Sequence, residues 1–341
     1  MPVKRKIAVI LAAHGEAETT GILENYRVTM LTLGHASMVM PIPLPLQQFI
    51  AVTSSIRKRV RSFSNAQASP HNRITREQGD ELNRQLNSSL LAGQFDFEVH
   101  AAFSASEPNV EKVIEKTRCS DAQVIVSMSP VDSTLSCGML CSYLASSFSV
   151  QELSKVKVLS RFWSDEQLYF VILDHLLQNS RFSRTSGDKK RMLLLLHHGT
   201  LVTDKTGDTP KFRTGLDATM IFADRLRSMI VAHPDNPYRS VRTAYLNHNV
   251  GGEWTKPSFE EICFDLKKEQ AESVDIFACG YFADGNETIH RAAELISEVP
   301  DSSVYNIPCL NNSQLFTSYL ALKVVSAVEQ ITCMSNELGN G

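Results

Sequence analysis

Two adjacent histidines close an apolar run, Met192-Leu193-Leu194-Leu195-Leu196-His197-His198-Gly199, and they are the residues with the most direct route to chemistry. A neutral imidazole binds divalent metals, and its pKa near neutrality lets it accept or pass a proton. The same ending occurs near the amino terminus, where the apolar run 7–13 meets His14-Gly15. Asn247-His248 follows a further apolar stretch, and Asp284 with Glu287 lies beyond another. An imidazole opposed to a carboxylate can hold a divalent cation, move protons, or do both in turn. A single strand-end histidine can also be no more than a satisfied polar group. The paired His-Gly endings and the acidic loop raise the case for chemistry. No glycine-rich phosphate fingerprint follows any of these runs and there is no G-x-S-x-G elbow, so nucleotide cofactors and a serine nucleophile are unsupported.

These residues need elements to position them. Short apolar runs bounded by turn residues read as buried strands of a parallel sheet, where ligands bind beyond the carboxyl ends. Strands are expected at about 7–13, 97–103, 122–128 and 156–160. Helical patterns lie between and after them, starting from Leu46 behind Pro41, Pro43 and Pro45, and from Arg76 behind a Thr75–Gln78 capping box. The polar stretch 179–190 reads as a linker, and the order then repeats, with strands at about 192–197, 240–246, 273–279 and 303–307 and helices at 214–232, 258–269, 286–297 and 312–331. The expected fold is α/β: two Rossmann-like lobes, 1–185 and 186–341, each a four-stranded parallel sheet flanked by helices, related by an internal repeat. A cleft is expected between their carboxyl-edge loops.

Composition narrows the classes. With 341 residues, about two domains are expected. The balance of 34 basic and 37 acidic residues, net −3, offers no general attraction for a nucleic-acid backbone. Seven scattered cysteines without a C-x-x-C pair read as reduced thiols, with no iron-sulfur cluster expected. The first apolar run is short for a signal peptide, and no stretch reaches the ~18 apolar residues of a membrane span, so a cytoplasmic protein is expected. Segment 20–65 is a separate case. Met30, Leu31, Leu33, Met38, Met40 and the 44–50 stretch form either a membrane-facing lip, giving peripheral membrane contact, or a buried helix face. Arg57, Lys58, Arg59 and Arg61 form its basic end, a solvated helix terminus or a grip for ligand carboxylates or anionic lipid.

Five motifs, in order, resemble those of the ferrochelatases. Ser69 to Gln78, SPHNRITREQ, is similar to the family's SP-x-x-x-x-T-x-x-Q element, and Ser129 to Leu144 to its P-x-Y-P-x-x-S run. Tyr245 to Pro257, YLNHNVGGEWTKP, resembles the W/FQS-x-x-GP-x-x-WL-x-P element. Tyr281 to Ile289, YFADGNETI, resembles F-x-SDHIET-L, and Ile307 to Phe316 resembles VP-x-LN-x-x-x-x-F. The resemblance implies a chelatase-like fold and the insertion of ferrous iron into a porphyrin, protoporphyrin IX or coproporphyrin III, in haem biosynthesis. It implies His198 and Glu287 as catalytic groups, with His197 the competing register, and His198, Glu287 and His14 toward the metal. Trp254, Asp284, Asn247 and Tyr26 of the lip would face the porphyrin. Metal and porphyrin would be substrates, with no prosthetic group, in a monomer or homodimer.

This chain also departs from the pattern. The histidine of SDHIET is Gly285, the Gln-Ser pair is Asn247-His248, and the usual LNLGGP start is LAAHGEAE. The His14-Gly15 start resembles the cobalt-type chelatases of corrinoid and sirohaem synthesis. Two alternatives follow: a chelatase for another metal such as cobalt or nickel, or a non-catalytic tetrapyrrole or haem carrier on the same scaffold.

Overall fold

A computed structural model describes residues 4–62, 68–181, 191–248, 250–269, 273–293 and 303–339. The chain forms two compact units. In the first, β1 (Arg5–Ala13), β2 (Phe95–Phe103), β3 (Ala122–Ser127) and β4 (Val156–Leu159) make a parallel sheet in the order β2-β1-β3-β4. Helices α1 (Ile22–Ser37), α2 (Leu44–Ser62), α3 (His71–Ser88), α4 (Val110–Lys116), α5 (Met139–Ser147) and the short α6 (Val150–Leu153) belong to the same unit. Ile10 and Ile125 of the sheet pack with Val113 and Ile114 of α4 and with Leu140 and Leu144 of α5. α3 lies against β2 and turns Ile74, Leu82 and Leu86 inward.

The second unit contains α7 (Glu166–Asn179), β5 (Arg191–His198), β6 (Leu201–Asp204), α8 (Leu216–Ala232), β7 (Ser240–Leu246), β8 (Gly252–Trp254), α9 (Phe259–Glu269), β9 (Ser273–Phe277) and β10 (Ser303–Ile307). Its parallel sheet runs β10-β9-β5-β7. Counted in chain order from its own first strand, that is the 2-1-3-4 order of the first unit, so the repeat extends to topology. β5 is buried on both faces, as a central parallel strand should be. Met192, Leu194 and Leu196 pack with Phe259, Ile262 and Leu266 of α9, while His197 on the alternate face meets Phe222 of α8.

The His-Gly endings now have a steric reason. A Cβ on Gly15, which holds φ +85°, would lie 2.6 Å from Phe103 Cβ. A Cβ on Gly199 would strike the Asn247 side chain and approach Leu246 O to 3.1 Å. In both repeats the chain leaves its first strand pressed against the end of the second, and only glycine fits.

Several expectations are corrected. The units do not divide at residue 185, a position that lies outside the described residues together with most of the expected linker. α7, expected to close the first lobe, packs in the second unit, where Tyr169 lies 5.4 Å from Phe222 and His175 stacks 5.9 Å from Phe277. The last helix, α10 (Gln314–Gly339), belongs to the first unit and meets α3 there, with Ser318 Oγ donating to Gln85 at 3.1 Å. Thr75 does not cap a helix. α3 begins at His71 behind Pro70, and the Thr75 hydroxyl turns back to His71 O at 2.9 Å. α2 starts two residues before Leu46 because Pro45, in its first turn, has no amide that the helix needs. The helix expected over 286–297 opens as one wide turn, Asn286–Arg291, and its end lies outside the described residues. β6 and β8 form a two-stranded antiparallel sheet that the sequence pattern does not announce. No helix among the described residues is long and apolar enough to cross a membrane.

Leu194 has no exposed surface and sits mid-strand among Val274, Ile276 and Leu266. Leu194→Ala is expected to cost about 3 kcal/mol through lost burial and a residual cavity, read as a lower urea midpoint with an unchanged slope.

Candidate metal centre

Strand alternation separates the two adjacent histidines. His197 points into the core with 1 % of its surface exposed, its Nε2 3.4 Å from Cys279 Sγ. His198, the last residue of β5, leaves the sheet on the opposite side and is exposed. Its Nε2 lies 3.2 Å from Nε2 of His248, and that atom lies 3.4 Å from Oε1 of Glu287. His198 ends the first strand of this sheet, His248 lies two residues beyond the second, and Glu287 stands in the wide turn that follows the third. Their ligand atoms all lie within 4.8 Å of one another.

These distances fit a metal. Donors held about 2.0–2.2 Å from one divalent ion at tetrahedral or octahedral angles stand about 3.0–3.5 Å apart. Two imidazoles and one carboxylate suit ferrous iron, cobalt, nickel and zinc better than magnesium or calcium. His198 and His248 are exposed at the rim, so a metal held there would keep coordination positions open.

Glu287 is positioned by its surroundings. Tyr281 donates its hydroxyl to Oε2 at 2.6 Å, and Arg291, one turn on, lies 3.6 Å from Oε1. Burial pushes the Glu287 carboxyl up, but His198, His248, the Tyr281 hydroxyl and Arg291 together outweigh it and hold the group below the ordinary range. Burial, and then the Glu287 charge, push the Tyr281 hydroxyl well above its ordinary value, so it remains a donor. One carboxylate oxygen is thus tied to Tyr281, and the other faces His248. Arg291 also donates to Asn247 O and lies 3.4 Å from Glu260, which fixes it across the loops.

His248, with 44 % of its side chain exposed, is still crowded on one side. The Trp254 ring meets it edge-on with centroids 5.5 Å apart, and Trp254 Nε1 donates to Val250 O at 2.7 Å. Desolvation lowers its pKa first; Glu287 opposes this, and His198 and Arg291 add to it, with a net downward shift. A lowered pKa keeps the ring neutral and its lone pair available.

The other residues singled out from sequence divide. Trp254 belongs to the site, delivered by β8. Asp284 is spent on structure: its carboxylate accepts from Asn311 Nδ2 at 2.8 Å, Thr288 Oγ1 at 3.0 Å and Cys309 N at 3.2 Å. Asn247 is buried, its amide donating to Thr255 O at 2.7 Å. His14 and Tyr26 lie in the first unit, where His14 Nε2 is 3.4 Å from Thr32 Oγ1 and Tyr26 is half-buried on α1. His248 was legible as a strand-end group but was not counted among the metal donors. Tyr281 and Arg291 were missed, although Arg291 stands at the i+4 position from Glu287, a spacing that brings side chains together on a helical turn.

Comparison with known proteins adds the following. The family model described as Ferrochelatase matches residues 6–328. Ferrochelatase 1 of Shewanella oneidensis is 22 % identical over 294 residues, covering 82 % of each chain. The ferrochelatase of Helicobacter pylori is 25 % identical over 181 residues, covering 51 % of this chain and 50 % of its own. Among solved structures, SirB from Bacillus subtilis with Fe3+ aligns with a TM-score of 0.50 at 11 % identity, over 95 % of this chain and 96 % of its own, a likeness of fold.

The placement of His197 carries a test on stability. Burial pushes its pKa down to about 3, against about 6.5 unfolded. Between those values the unfolded chain binds a proton that the folded chain excludes, so stability falls as pH drops below about 6.5, at up to about 1.4 kcal/mol per pH unit. His197→Leu is expected to remove that part of the acid-side loss. Urea midpoints compared at pH 7 and pH 5 measure it, and an identical acid-side loss in both proteins would contradict the burial of His197.

Proposed function

The chain belongs to the ferrochelatase family, and from that premise we propose that it inserts a divalent metal, ferrous iron, into a porphyrin at the His198–His248–Glu287 centre. The observation that carries this reading is the convergence of two imidazoles and a half-buried carboxylate at metal-binding spacing on the carboxyl edge of one parallel sheet. Insertion requires that two pyrrole N–H protons leave as the metal, the substrate, enters. His198, exposed at the rim, is placed to accept a proton from the ring, and His248, kept neutral, is placed to take the second or pass the first to solvent. Glu287 supplies the anionic donor, with Tyr281 fixing one of its oxygens. A site open on one side holds the metal weakly enough to release it to a tetradentate ring. Trp254, stacked edge-on to His248, offers an apolar wall beside the donors.

The carrier reading draws on Gly285, which stands where the family motif has a histidine. His248 answers it, because it places a second imidazole 3.2 Å from the first by another route. A chelatase is therefore favoured over a carrier.

Two experiments decide the matter. In anaerobic visible spectra with protoporphyrin or coproporphyrin and ferrous iron, cobalt or zinc, the free-base Q-bands are expected to collapse. His198→Ala and Glu287→Gln are each expected to slow that collapse by on the order of 10²-fold or more, the scale of a lost acid-base group. Tight porphyrin binding with no collapse for any metal would establish the carrier instead. Separately, zinc titration without porphyrin should show one site. His248→Ala is expected to weaken it at least on the order of tenfold, since even an outer-shell partner of a ligand is worth about 10–100-fold. Unchanged zinc affinity would remove His248 from the donor set.

A further inference from the structure

Arg291 stands between two carboxylates and closes on neither. Its Nη1 lies 3.6 Å from Oε1 of Glu287, and its Nη2 lies 3.4 Å from Oε1 of Glu260 in the first turn of α9. Both distances exceed the roughly 2.7–2.9 Å of a closed charge-assisted pair. Its close bond goes to a neutral acceptor, with Nη2 donating to Asn247 O. Beyond the guanidinium, Oε2 of Glu260 is buried and finds no donor among the described residues. A buried carboxylate oxygen without a donor is costly, and an arginine fork binds both oxygens of a carboxylate where the geometry allows. That spare acceptor belongs to the carboxylate that Arg291 already approaches.

The other carboxylate is already engaged. Oε2 of Glu287 accepts from Tyr281 at 2.6 Å, while Oε1 faces both His248, at 3.4 Å, and Arg291. Oε1 is the oxygen left for a metal, so a divalent ion and the guanidinium would meet at one atom, where their charges repel. From this geometry we propose that Arg291 is a positioning residue that governs how readily the centre takes up and releases its metal. An ion arriving at Oε1 of Glu287 drives the guanidinium onto both oxygens of Glu260, and its return to Glu287 expels the ion. No proton moves, because the guanidinium stays charged in both positions; one ion pair is exchanged for another. The proposal rests on the reading of His198, His248 and Glu287 as the metal centre, and it assigns the lability of that centre to an internal cation and the carboxylate that receives it.

Zinc without porphyrin is the probe, with its affinity and its rate of loss to excess chelator measured on the full chain. Arg291→Met removes the competing cation and is expected to tighten zinc on the order of tenfold or more, the scale of a hydrogen bond to a charged group, with release slowed in proportion. Arg291→Lys keeps the charge and should stay near wild type. Glu260→Gln removes the charge that draws the guanidinium off Glu287 and should weaken zinc by a similar factor. In the double variant the Glu260→Gln effect should vanish, because it acts only through Arg291. A residue needed only for folding would lower affinity whichever partner was changed, so the opposite signs are the signature. Thermal melts identify any variant that misfolds, and Arg291→Gln, whose amide can still donate to Asn247 O, repeats the cycle if Arg291→Met does. Three results overturn the proposal: weaker zinc binding by a folded Arg291→Met or Arg291→Gln, which assigns Arg291 to holding the loop that carries His248; a Glu260→Gln effect that persists without Arg291, which makes Glu260 act on the metal directly; or unchanged affinity or release in the Arg291 variants. A wild-type protein that binds no zinc would instead remove the centre itself, and the proposal with it.

Discussion

A β-strand sends successive side chains to opposite faces, and at the end of β5 that constraint determines the chemistry of the second unit. His197 and His198 are chemically identical neighbours, yet pairing of β5 with β7 and β9 commits the first to the core against Phe222 and releases the second at the edge. One is desolvated to neutrality and spent on packing, and the other stands among the candidate metal donors. The packing of Met192, Leu194 and Leu196 against α9 and of His197 against Phe222 on the other face goes with this register, because a slip by one residue would exchange the two faces and the two histidines with them. The metal centre therefore depends on apolar burial well away from it.

The electrostatics of the centre follow from that geometry. A carboxylate drawn partly out of water is costly unless it is compensated, and the half-buried Glu287 is compensated from four directions: two imidazoles, one phenol and one guanidinium. Arg291 has two effects. It helps to keep Glu287 ionised, which a metal requires, and it competes with that metal for the same oxygen. It is prevented from closing on the carboxylate by its second hold on Asn247 O and Glu260. A divalent ion held between these opposed pulls would be held weakly, as the proposed insertion of a substrate metal requires.

The strands, their two sets of four and the His-Gly repeat were readable because buried parallel strands carry apolar runs that survive without context. What was not readable depended on pairing across the chain. Whether His197 or His198 faces outward cannot be counted from a residue list, since both ends of a two-residue alternative are plausible until the register is known. The exchange of α7 and α10 between units was invisible for the same reason: each helix has an apolar face, and sequence does not say which sheet will cover it. In α2 the apolar 44–50 stretch was legible, and a buried helix face was one of its two readings. Only the structure shows the small and polar stripe turned inward, with Gln47 and Ser55 satisfied locally.

The repeat also separates what scaffolding supplies from what function adds. Both units present a histidine and a glycine where the first strand meets the end of the second, and in both the glycine is required by the same close approach. In the first unit the position two residues beyond the second strand is Ala105, whose amide donates to His14 O at 2.7 Å, and His14 lies beside Thr32. In the second unit the corresponding position is His248, and the loop after the third strand brings Glu287. One topology thus places an imidazole at the mouth of each sheet, but among the described residues three donors converge in only one of them. The fold explains where such a centre can be built, and the side chains on two further loops explain why it is built in the second unit.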